Sequence, residues 1–224
     1  MPGAKPRQPF EQLVHALSFH GIDLVVDVGA NEGQYAEALR AHGWAGPIVS
    51  IEPIPEVRAR LAERAGDDSG WTVLPPLALG AADGEAVLEL SAESDMSSLL
   101  PQTDLLRAIA PSAAVRARLT VRQRRLDGLD LPPGRLFLKL DVQGGEAAVL
   151  AGAEGLLPRV AGLQLEMALV PIYEGETPWR AMLDRVEALG FALHLLLPGY
   201  YERKLGRQLQ MDGVFFRAPA TPSP

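Results

Sequence analysis

Carboxylates stand at the ends of four short apolar runs of the sequence. Asp27 lies in LVVDVG, Glu52 in IVSIEP, Asp141 in LFLKLDV and Glu166 in LQLEM. Short runs that are rich in Val, Ile and Leu are typical of buried strands. Because the carboxyl ends of parallel strands meet along one edge of a sheet, we expect these side chains to face one ligand-binding cleft.

The loop after the first run, DVGANEG, differs from a dinucleotide-binding turn. That turn needs three glycines that let a pyrophosphate approach a helix, whereas this loop has only Gly29 and Gly33 behind Asp27. A carboxylate beside a pyrophosphate adds repulsion of roughly a few kcal/mol, so a cationic cofactor fits better. S-adenosylmethionine carries a sulfonium and an ammonium group, and we expect the loop to bind it, with Asn31 at positive φ or bonded to its methionyl end. The alternative is that Asp27 caps its loop and the glycines only make a turn.

Two further stretches fit the adenosine part of such a cofactor. Glu52 lies at the predicted tip of the second strand, where a carboxylate accepts both ribose hydroxyls. Nicotinamide dinucleotide enzymes use the same position, so Glu52 indicates adenosine without selecting the cofactor. Leu77, Ala78 and Leu79 end the third apolar run, and they form either a wall for adenine or the end of a core strand.

The elements that position these residues alternate between strands and helices. Strands predicted at DLVVDVG, GPIVSIEP and WTVLPPLALG are separated by amphipathic helices at GQYAEALRAHG and PEVRARLAERAG. Two more strand–helix units follow, and the last strands, FALHLLLP and LQMDGVFFRA, have no helix between them. That arrangement is typical of an antiparallel pair at a sheet edge. The predicted fold class is therefore α/β, a Rossmann-like three-layer sandwich with a mostly parallel sheet.

The predicted domain spans residues 23–218, with a helical segment over 1–22 before it and a flexible tail over 219–224 after it. Between residues 81 and 134 the alternation lapses. We expect an insertion there that contains a strand pair at EAVLELS and ARLTVRQRRL.

The composition limits the class of protein. A chain of 224 residues with 47% hydrophobic and 22% charged residues fits one globular domain. A net charge of -7 argues against nucleic acid or an anionic membrane as partner, because both select basic surfaces. The absence of cysteine excludes disulfides, and no apolar run reaches the ~20 residues that a bilayer needs. The N-terminus lacks the apolar core of a signal peptide, so we expect a soluble cytoplasmic protein with a small-molecule partner; a homodimer is also compatible.

A series of motifs occurs in a fixed order along the chain: VVDVGANEGQY, IEP, LALG, DMSSL, LKLDVQGGEAAVLAGA, LQLEM and PIYEG. Together they resemble the FkbM family of S-adenosylmethionine-dependent methyltransferases over nearly the whole chain after Gly21, and the K-x-D-x-x-G-x-E string is the most specific part. The resemblance implies a class I methyltransferase fold and methyl transfer to a hydroxyl of a sugar, polyketide or similar metabolite. From the resemblance and the patterns above, the residues expected to bind the cofactor are Asp27, Gly29, Ala30, Asn31, Gly33, Tyr35, Glu52, Pro53, Ala78, Leu79, Ser97 and Asp141.

Methyl transfer to an alcohol needs alignment of the acceptor oxygen with the methyl group, exclusion of water and removal of a proton. Asp141 is the expected general base, unless it only caps the helix that follows it. Glu166 is a second candidate base or a group that orients the acceptor, and Lys139 shares the face of Asp141 if the strand is regular. Glu146 lies near the next helix N-terminus and is expected to stabilise it. Asp141 and Glu166 are too few ligands for a divalent cation, so no metal is expected.

Other residues fit either a site or a structural role. Ser97 in DMSSLL meets the cofactor or acceptor, or else the segment caps a helix. Tyr173 is predicted at the acceptor mouth and Trp179 in the core, and His42 and His194 are expected to be buried in the core. Five arginines form either a solvated strand face or a dock for an acidic partner: Arg116, Arg118, Arg122, Arg124 and Arg125.

The sequence therefore predicts a small-molecule O-methyltransferase. One alternative is a nicotinamide-dependent oxidoreductase on the same fold, which the loop carboxylate and the missing third glycine disfavour. A second is a nucleic-acid or protein methyltransferase, which the acidic charge disfavours. A third is a protein that binds the cofactor without catalysis.

Overall fold

The computed structural model describes residues 9–217. The helices within this range are α1 (Pro9–Phe19), α2 (Gln34–Ala41), α3 (Pro55–Ala65), α4 (Asp104–Ile109), α5 (Glu146–Ala151) and α6 (Trp179–Ala188). The strands are β1 (Leu24–Val28), β2 (Ile48–Ile51), β3 (Trp71–Val73), β4 (Ala78–Leu79), β5 (Gly84–Ser91), β6 (Val115–Arg124), β7 (Leu136–Leu140), β8 (Val160–Ala168), β9 (Phe191–Pro198), β10 (Tyr201–Glu202), β11 (Arg207–Gln208) and β12 (Gln210–Arg217). The predicted tail at 219–224 lies outside the described residues.

Seven strands form the central sheet in the order β3-β2-β1-β7-β8-β12-β9. The first five pair in parallel, and β12 runs antiparallel to both β8 and β9. The predicted α/β class with an antiparallel pair is confirmed. The two last strands are not added in chain order, however, because β12 inserts between β8 and the edge strand β9. Burial explains this order: Val214, Phe215 and Phe216 of β12 are fully buried, whereas β9 leaves Leu193 and Leu196 exposed.

Helices cover both faces of the sheet and complete three layers. On one face, Leu13 of α1, Leu39 of α2 and Leu61 of α3 join a cluster with side chains of β1, β2 and β7. On the other, Val149 of α5 and Val186 of α6 pack against the opposite sides of the same strands. Because both faces are covered, the central strands are continuous apolar runs, and the sheet edge at their carboxyl ends is left for polar chemistry.

A second sheet of three strands, β4-β6-β5, stands over that edge. The predicted strand pair is present as β5 and β6, which are antiparallel. The prediction that WTVLPPLALG forms one strand is wrong, because the chain leaves the central sheet after β3 and enters the small sheet at β4. The reason is Pro75-Pro76 between them, since proline has no N–H group to continue a ladder. Within residues 9–217, none of the helices is long and apolar enough to cross a membrane.

Candidate active site

A cavity of about 550 Å³ lies between the carboxyl ends of β1, β2 and β7 and the small sheet; we call it the first cavity. Most of the predicted site residues line it, namely Gly29, Ala30, Asn31, Tyr35, Glu52, Pro53, Ala78, Leu79, Ser97, Lys139 and Asp141. Asp27, Gly33 and Glu166 are not among its lining residues. Residues that are far apart in the sequence therefore meet at the predicted edge of the sheet.

Asp27 lies beneath the first cavity and not on its wall. Its side chain is 0% exposed, and its Oδ1 atom is 3.1 Å from Lys139 Nζ. Burial raises the pKa of Asp27, and the charge of Lys139 opposes the shift. The prediction that Asp27 contacts the cofactor directly is therefore wrong. Asp27 is still inside β1, and its side chain points into the helix-covered face of the sheet and not out of the strand end.

The loop after β1 owes its shape to residues at positive φ. Gly29 has a φ of 73°, and a Cβ atom added there would lie 1.8 Å from the carbonyl oxygen of Asp141. Only glycine lets the ends of β1 and β7 approach this closely. Asn31 has a φ of 45°, as the sequence predicts. Gly33 is the N-cap of α2, with a φ of 94°, and so has a structural role in the turn.

Glu52 is held at the wall of the first cavity by backbone donors. Its Oε2 atom accepts a hydrogen bond from Asn31 N at 3.0 Å, and its Oε1 atom accepts one from Ile54 N at 2.9 Å. Burial raises the pKa of Glu52 to about 7, although both N–H groups oppose the shift. The adjacent wall is apolar, because Leu77, Ala78 and Leu79 line the cavity while they are also nearly fully buried. The stretch is therefore part of the core and also lines the cavity, and its contact with adenine stays a prediction.

Lys139 lies between the carboxylates of Asp27, in β1, and Asp141, which follows β7. Its Nζ atom lies 3.5 Å from Asp141 Oδ2 and donates a hydrogen bond to the Gly29 carbonyl at 3.0 Å, so Lys139 and Asp141 share a face as predicted. Burial lowers the pKa of Lys139, but the carboxylates of Asp27 and Asp141 outweigh it and raise the pKa above its usual value. Lys139 is therefore a permanent positive charge that holds Asp141, and it does not act as a base.

Asp141 does not cap the helix that follows it. The N-cap of α5 is Gly145, which has no side-chain cap, so that alternative is wrong. Glu146 takes the structural role that the sequence predicts, because its Oε1 atom accepts a hydrogen bond from Val142 N at 2.8 Å. Burial raises the pKa of Glu146 to about 8. The Asp141 carboxylate is left 35% exposed toward the cavity and available to a ligand.

Gln143 is a central residue of the site that the sequence analysis missed. Its Nε2 atom donates hydrogen bonds of 2.9 Å to both Asp141 Oδ1 and Glu166 Oε2, and its Oε1 atom accepts one of 2.7 Å from Tyr173 OH. Gln210 Nε2 also donates to Glu166 Oε2, at 2.8 Å. In the sequence, the available signal for Gln143 was its place as a polar residue between the predicted strand tip and Gly144-Gly145. A φ of 53° at Gln143 then turns the chain so that its side chain lies between the two carboxylates.

Glu166 lies behind Gln143 and is partly buried. Burial raises its pKa well above the usual range, and the negative charge of Asp141 adds to the shift. Its Oε2 atom already accepts hydrogen bonds from Gln143 and Gln210, so the contacts favour the orienting role over the role of base. Within residues 9–217, no group of three or more His, Cys, Asp or Glu side chains is placed to hold a metal ion.

The segment from Ser94 to Ser98, which we call the DMSS segment, connects the insertion to both loops of the edge. Ser94 Oγ donates to Asn31 Oδ1 at 3.1 Å, and Ser98 Oγ donates to the Gln143 carbonyl at 2.6 Å. Ser97 lines the first cavity, and its Oγ atom accepts a hydrogen bond from the Ser91 backbone. The helix-cap alternative for this segment is wrong, since the N-cap of α4 is Thr103. The segment closes one side of the cavity.

The structure also tests the predictions made for Tyr173, Trp179, His194 and the arginines. Tyr173 is 1% exposed and is hydrogen-bonded to Gln143, so it cannot stack on a ligand. Trp179 packs against the core as predicted. The prediction of a buried His194 is wrong, because it lies on the exposed face of the edge strand β9. The arginines of β6 lie away from the first cavity, and Arg118 pairs with Glu89 at 2.8 Å.

Fold and site together define a class I methyltransferase: a parallel sheet with one inserted antiparallel strand, a glycine loop after β1 and a carboxylate at the tip of β2. The methyltransferase domain of bacterial CtHen1-C has this fold, with a TM-score of 0.52, 12% identity, and coverage of 95% of this chain and 98% of that chain. Magnesium protoporphyrin IX methyltransferase (ChlM) from Synechocystis PCC 6803, solved with bound SAH, gives a TM-score of 0.50, 10% identity, and coverage of 93% and 82%. These likenesses concern the fold alone.

The family model of the methyltransferase FkbM domain matches residues 27–193, and the chain belongs to this family. The resemblance found in the sequence is confirmed. The 2-O-methyltransferase NoeI of Sinorhizobium fredii (strain NBRC 101917 / NGR234) is 27% identical over 177 residues, which cover 72% of this chain and 70% of NoeI.

Proposed function

We propose that this protein transfers a methyl group from S-adenosylmethionine to a hydroxyl group of a small molecule. The observation that carries the proposal is the polarity of the first cavity. Glu52 stands at one end, Asp141 with Lys139 stands at the other, and apolar residues lie between them. Membership of the FkbM family supports methyl transfer, and NoeI, named as a 2-O-methyltransferase, supports oxygen as the acceptor atom.

The residues present fit the cofactor. A volume of about 550 Å³ falls within the range of about 300–1,000 Å³ that is typical of small-molecule sites. Glu52 would accept the ribose hydroxyls, and the stretch Leu77 to Leu79 would cover the adenine. The loop from Gly29 to Asn31 would hold the methionyl end. Because Lys139 neutralises Asp27, the attraction for a cation comes from the exposed carboxylate of Asp141.

S-adenosylmethionine supplies an electrophilic methyl carbon, and the electron pair of the broken carbon–sulfur bond stays on the sulfur of S-adenosylhomocysteine. The acceptor oxygen forms the new bond and loses its proton to Asp141. Gln143 and Lys139 hold the two oxygens of that carboxylate in place. The small sheet and the DMSS segment cover part of the first cavity, which would limit the access of water when ligands are bound.

The test has two parts. Calorimetry with S-adenosylhomocysteine and with NAD should show binding of the former only. Incubation with deuteromethyl-labelled S-adenosylmethionine and a metabolite extract of the source organism should give a product with the label on oxygen, identified by mass spectrometry. Binding of NAD alone, or label on nitrogen or carbon, would reject the proposal.

A further inference from the structure

Asp95 is a carboxylate of the first cavity that the proposed chemistry does not use. It lies in the DMSS segment, on the short 3-10 helix Ser94–Met96, and it is exposed. Three carboxylates line the first cavity, and the other two are Glu52 and Asp141. Like charges that share one cavity repel each other, so a third carboxylate is disfavoured unless a ligand brings positive charge to it.

The other two carboxylates of the cavity already have partners within the protein. Both oxygens of Glu52 accept hydrogen bonds from backbone N–H groups. The oxygens of Asp141 face Gln143 Nε2 at 2.9 Å and Lys139 Nζ at 3.5 Å. Among the described residues, by contrast, no other residue donates a hydrogen bond to the carboxylate of Asp95. Asp95 is therefore the lining carboxylate whose oxygens are available to a donor on a ligand.

Two hydrogen bonds fix the place of Asp95 on the cavity wall. On one side of it, Ser94 Oγ donates to Asn31 Oδ1 at 3.1 Å, in the loop after β1. On the other side, Ser98 Oγ donates to the Gln143 carbonyl at 2.6 Å, after β7. The DMSS segment thus bridges the two loops, and Asp95 directly follows the residue that contacts the loop after β1. That loop is the part of the cavity proposed for the methionyl end of the cofactor.

The loop after β1 has little negative charge of its own to offer a ligand. The Gly29 carbonyl accepts a hydrogen bond from Lys139 Nζ at 3.0 Å, and Asn31 Oδ1 accepts the one from Ser94. Asp27 is fully buried and paired with Lys139. A cation at this end of the cavity therefore needs a carboxylate from another segment, and the DMSS segment supplies one.

The electrostatic setting of Asp95 favours a cation over any other ligand group. Burial raises the pKa of Asp95, and the negative charges of Glu93 and Asp141 add to the shift. A carboxylate that is repelled by neighbouring carboxylates is stabilised by a positive group and destabilised further by an anion. An ammonium group also supplies three hydrogen-bond donors, and a charge-assisted hydrogen bond is stronger than a neutral one.

We infer that Asp95 binds the α-ammonium group of S-adenosylmethionine, while Asp141 faces the sulfonium and the acceptor oxygen. The inference rests on the proposed function and divides the two positive groups of the cofactor between two carboxylates. An ammonium group seated on Asp141 would stabilise its negative charge and weaken it as a base. With the ammonium on Asp95, the carboxylate of Asp141 is free to accept the proton.

The experiment is calorimetry on the full chain with two ligands that differ in one group. S-adenosylhomocysteine carries the ammonium, and its deaminated analogue, 5′-S-(3-carboxypropyl)-5′-thioadenosine, keeps the adenosine and the carboxylate but lacks it. Asp95→Asn should weaken the binding of S-adenosylhomocysteine about tenfold and leave the Kd of the analogue within about twofold. Asp95→Glu keeps the charge and should recover most of the lost affinity. A general loss of structure would weaken both ligands alike.

Glu93→Gln is the matched control. It removes the same charge from an exposed residue two positions before Asp95, and Glu93 does not line the first cavity. Both Kd values should stay within about twofold of those of the unsubstituted protein, because the effect of an exposed charge is screened by water and salt.

Three results would overturn the inference alone: equal losses for both ligands in Asp95→Asn, no loss for either ligand, or a fall in turnover with unchanged binding of S-adenosylhomocysteine. The last result would place Asp95 at the acceptor and not at the cofactor. Failure of the unsubstituted protein to bind S-adenosylhomocysteine would overturn the proposed function as well.

Discussion

The two ends of the first cavity are built in different ways. At the end near β2, backbone groups hold the carboxylate, because Glu52 accepts hydrogen bonds from Asn31 N and Ile54 N. At the end near β7, side chains hold one another, with Gln143 between Asp141 and Glu166. The first end is held by main-chain groups of the loop after β1 and of the tip of β2. The second depends on long-range contacts and is the place where specificity can change without loss of the fold.

The largest effect should come from the β7 end. Asp141→Asn keeps the shape of the side chain but removes its ability to accept a proton, and we expect turnover to fall by about 100-fold or more. The Kd for S-adenosylhomocysteine, measured by calorimetry, should change by less than about fivefold. Turnover within about threefold of the unsubstituted protein would assign the base to another residue.

In the loop after β1, where the chain approaches the end of β7, the test is structural. Gly29→Ala places a methyl group against the Asp141 carbonyl oxygen at positive φ, and we expect a loss of about 3 kcal/mol in the free energy of unfolding. The control is Gly175→Ala, which has a φ of 80° but nothing within 4 Å, and should cost about 1 kcal/mol. Equal losses in denaturant titrations would show that the close approach is unimportant.

A smaller effect is expected from the side-chain network. Gln143→Met keeps the length of the side chain but removes its hydrogen bonds to Asp141, Glu166 and Tyr173, and turnover should fall about 30-fold, or about 2 kcal/mol. Gln208→Met, which removes a surface amide bonded to the Gln210 carbonyl, serves as the control. If both variants keep full turnover, the network does not position Asp141.

The smallest effect concerns protonation at the β2 end. Burial raises the pKa of Glu52 to about 7, and the carboxylate must be ionised to accept two ribose hydroxyls. Below that pH, part of the binding free energy is used to remove the proton. The affinity for S-adenosylhomocysteine should therefore rise about tenfold from pH 6 to pH 8. In Glu52→Gln the dependence should be flat, and an unchanged slope in that variant would place the titrating group elsewhere.

The two ends of the first cavity differ in how much of them the sequence predicts. Glu52 and the glycine loop were predicted at their places, because each follows a buried strand whose end is visible in the sequence. Gln143 and Gln210 were not predicted. Their partners lie on other strands, and one of those strands, β12, occupies an interior position that chain order does not suggest.

For Asp27 the sequence predicts the position of the residue but not the direction of its side chain. The acidic residue before the glycine loop was recognised, but its direction was not, since a residue inside a strand can face either side of the sheet. The structure turns it toward Lys139, and the exposed negative charge of the cavity is that of Asp141.

The sequence by itself determined the α/β class, the family and the edge of the sheet where the first cavity lies, because periodicity and strand-end motifs are local properties of the chain. Only the tertiary structure decided which carboxylates are exposed and which are held by amides. Those features depend on strand order and on side chains that meet across the sheet, and such long-range contacts leave no local signal in the sequence.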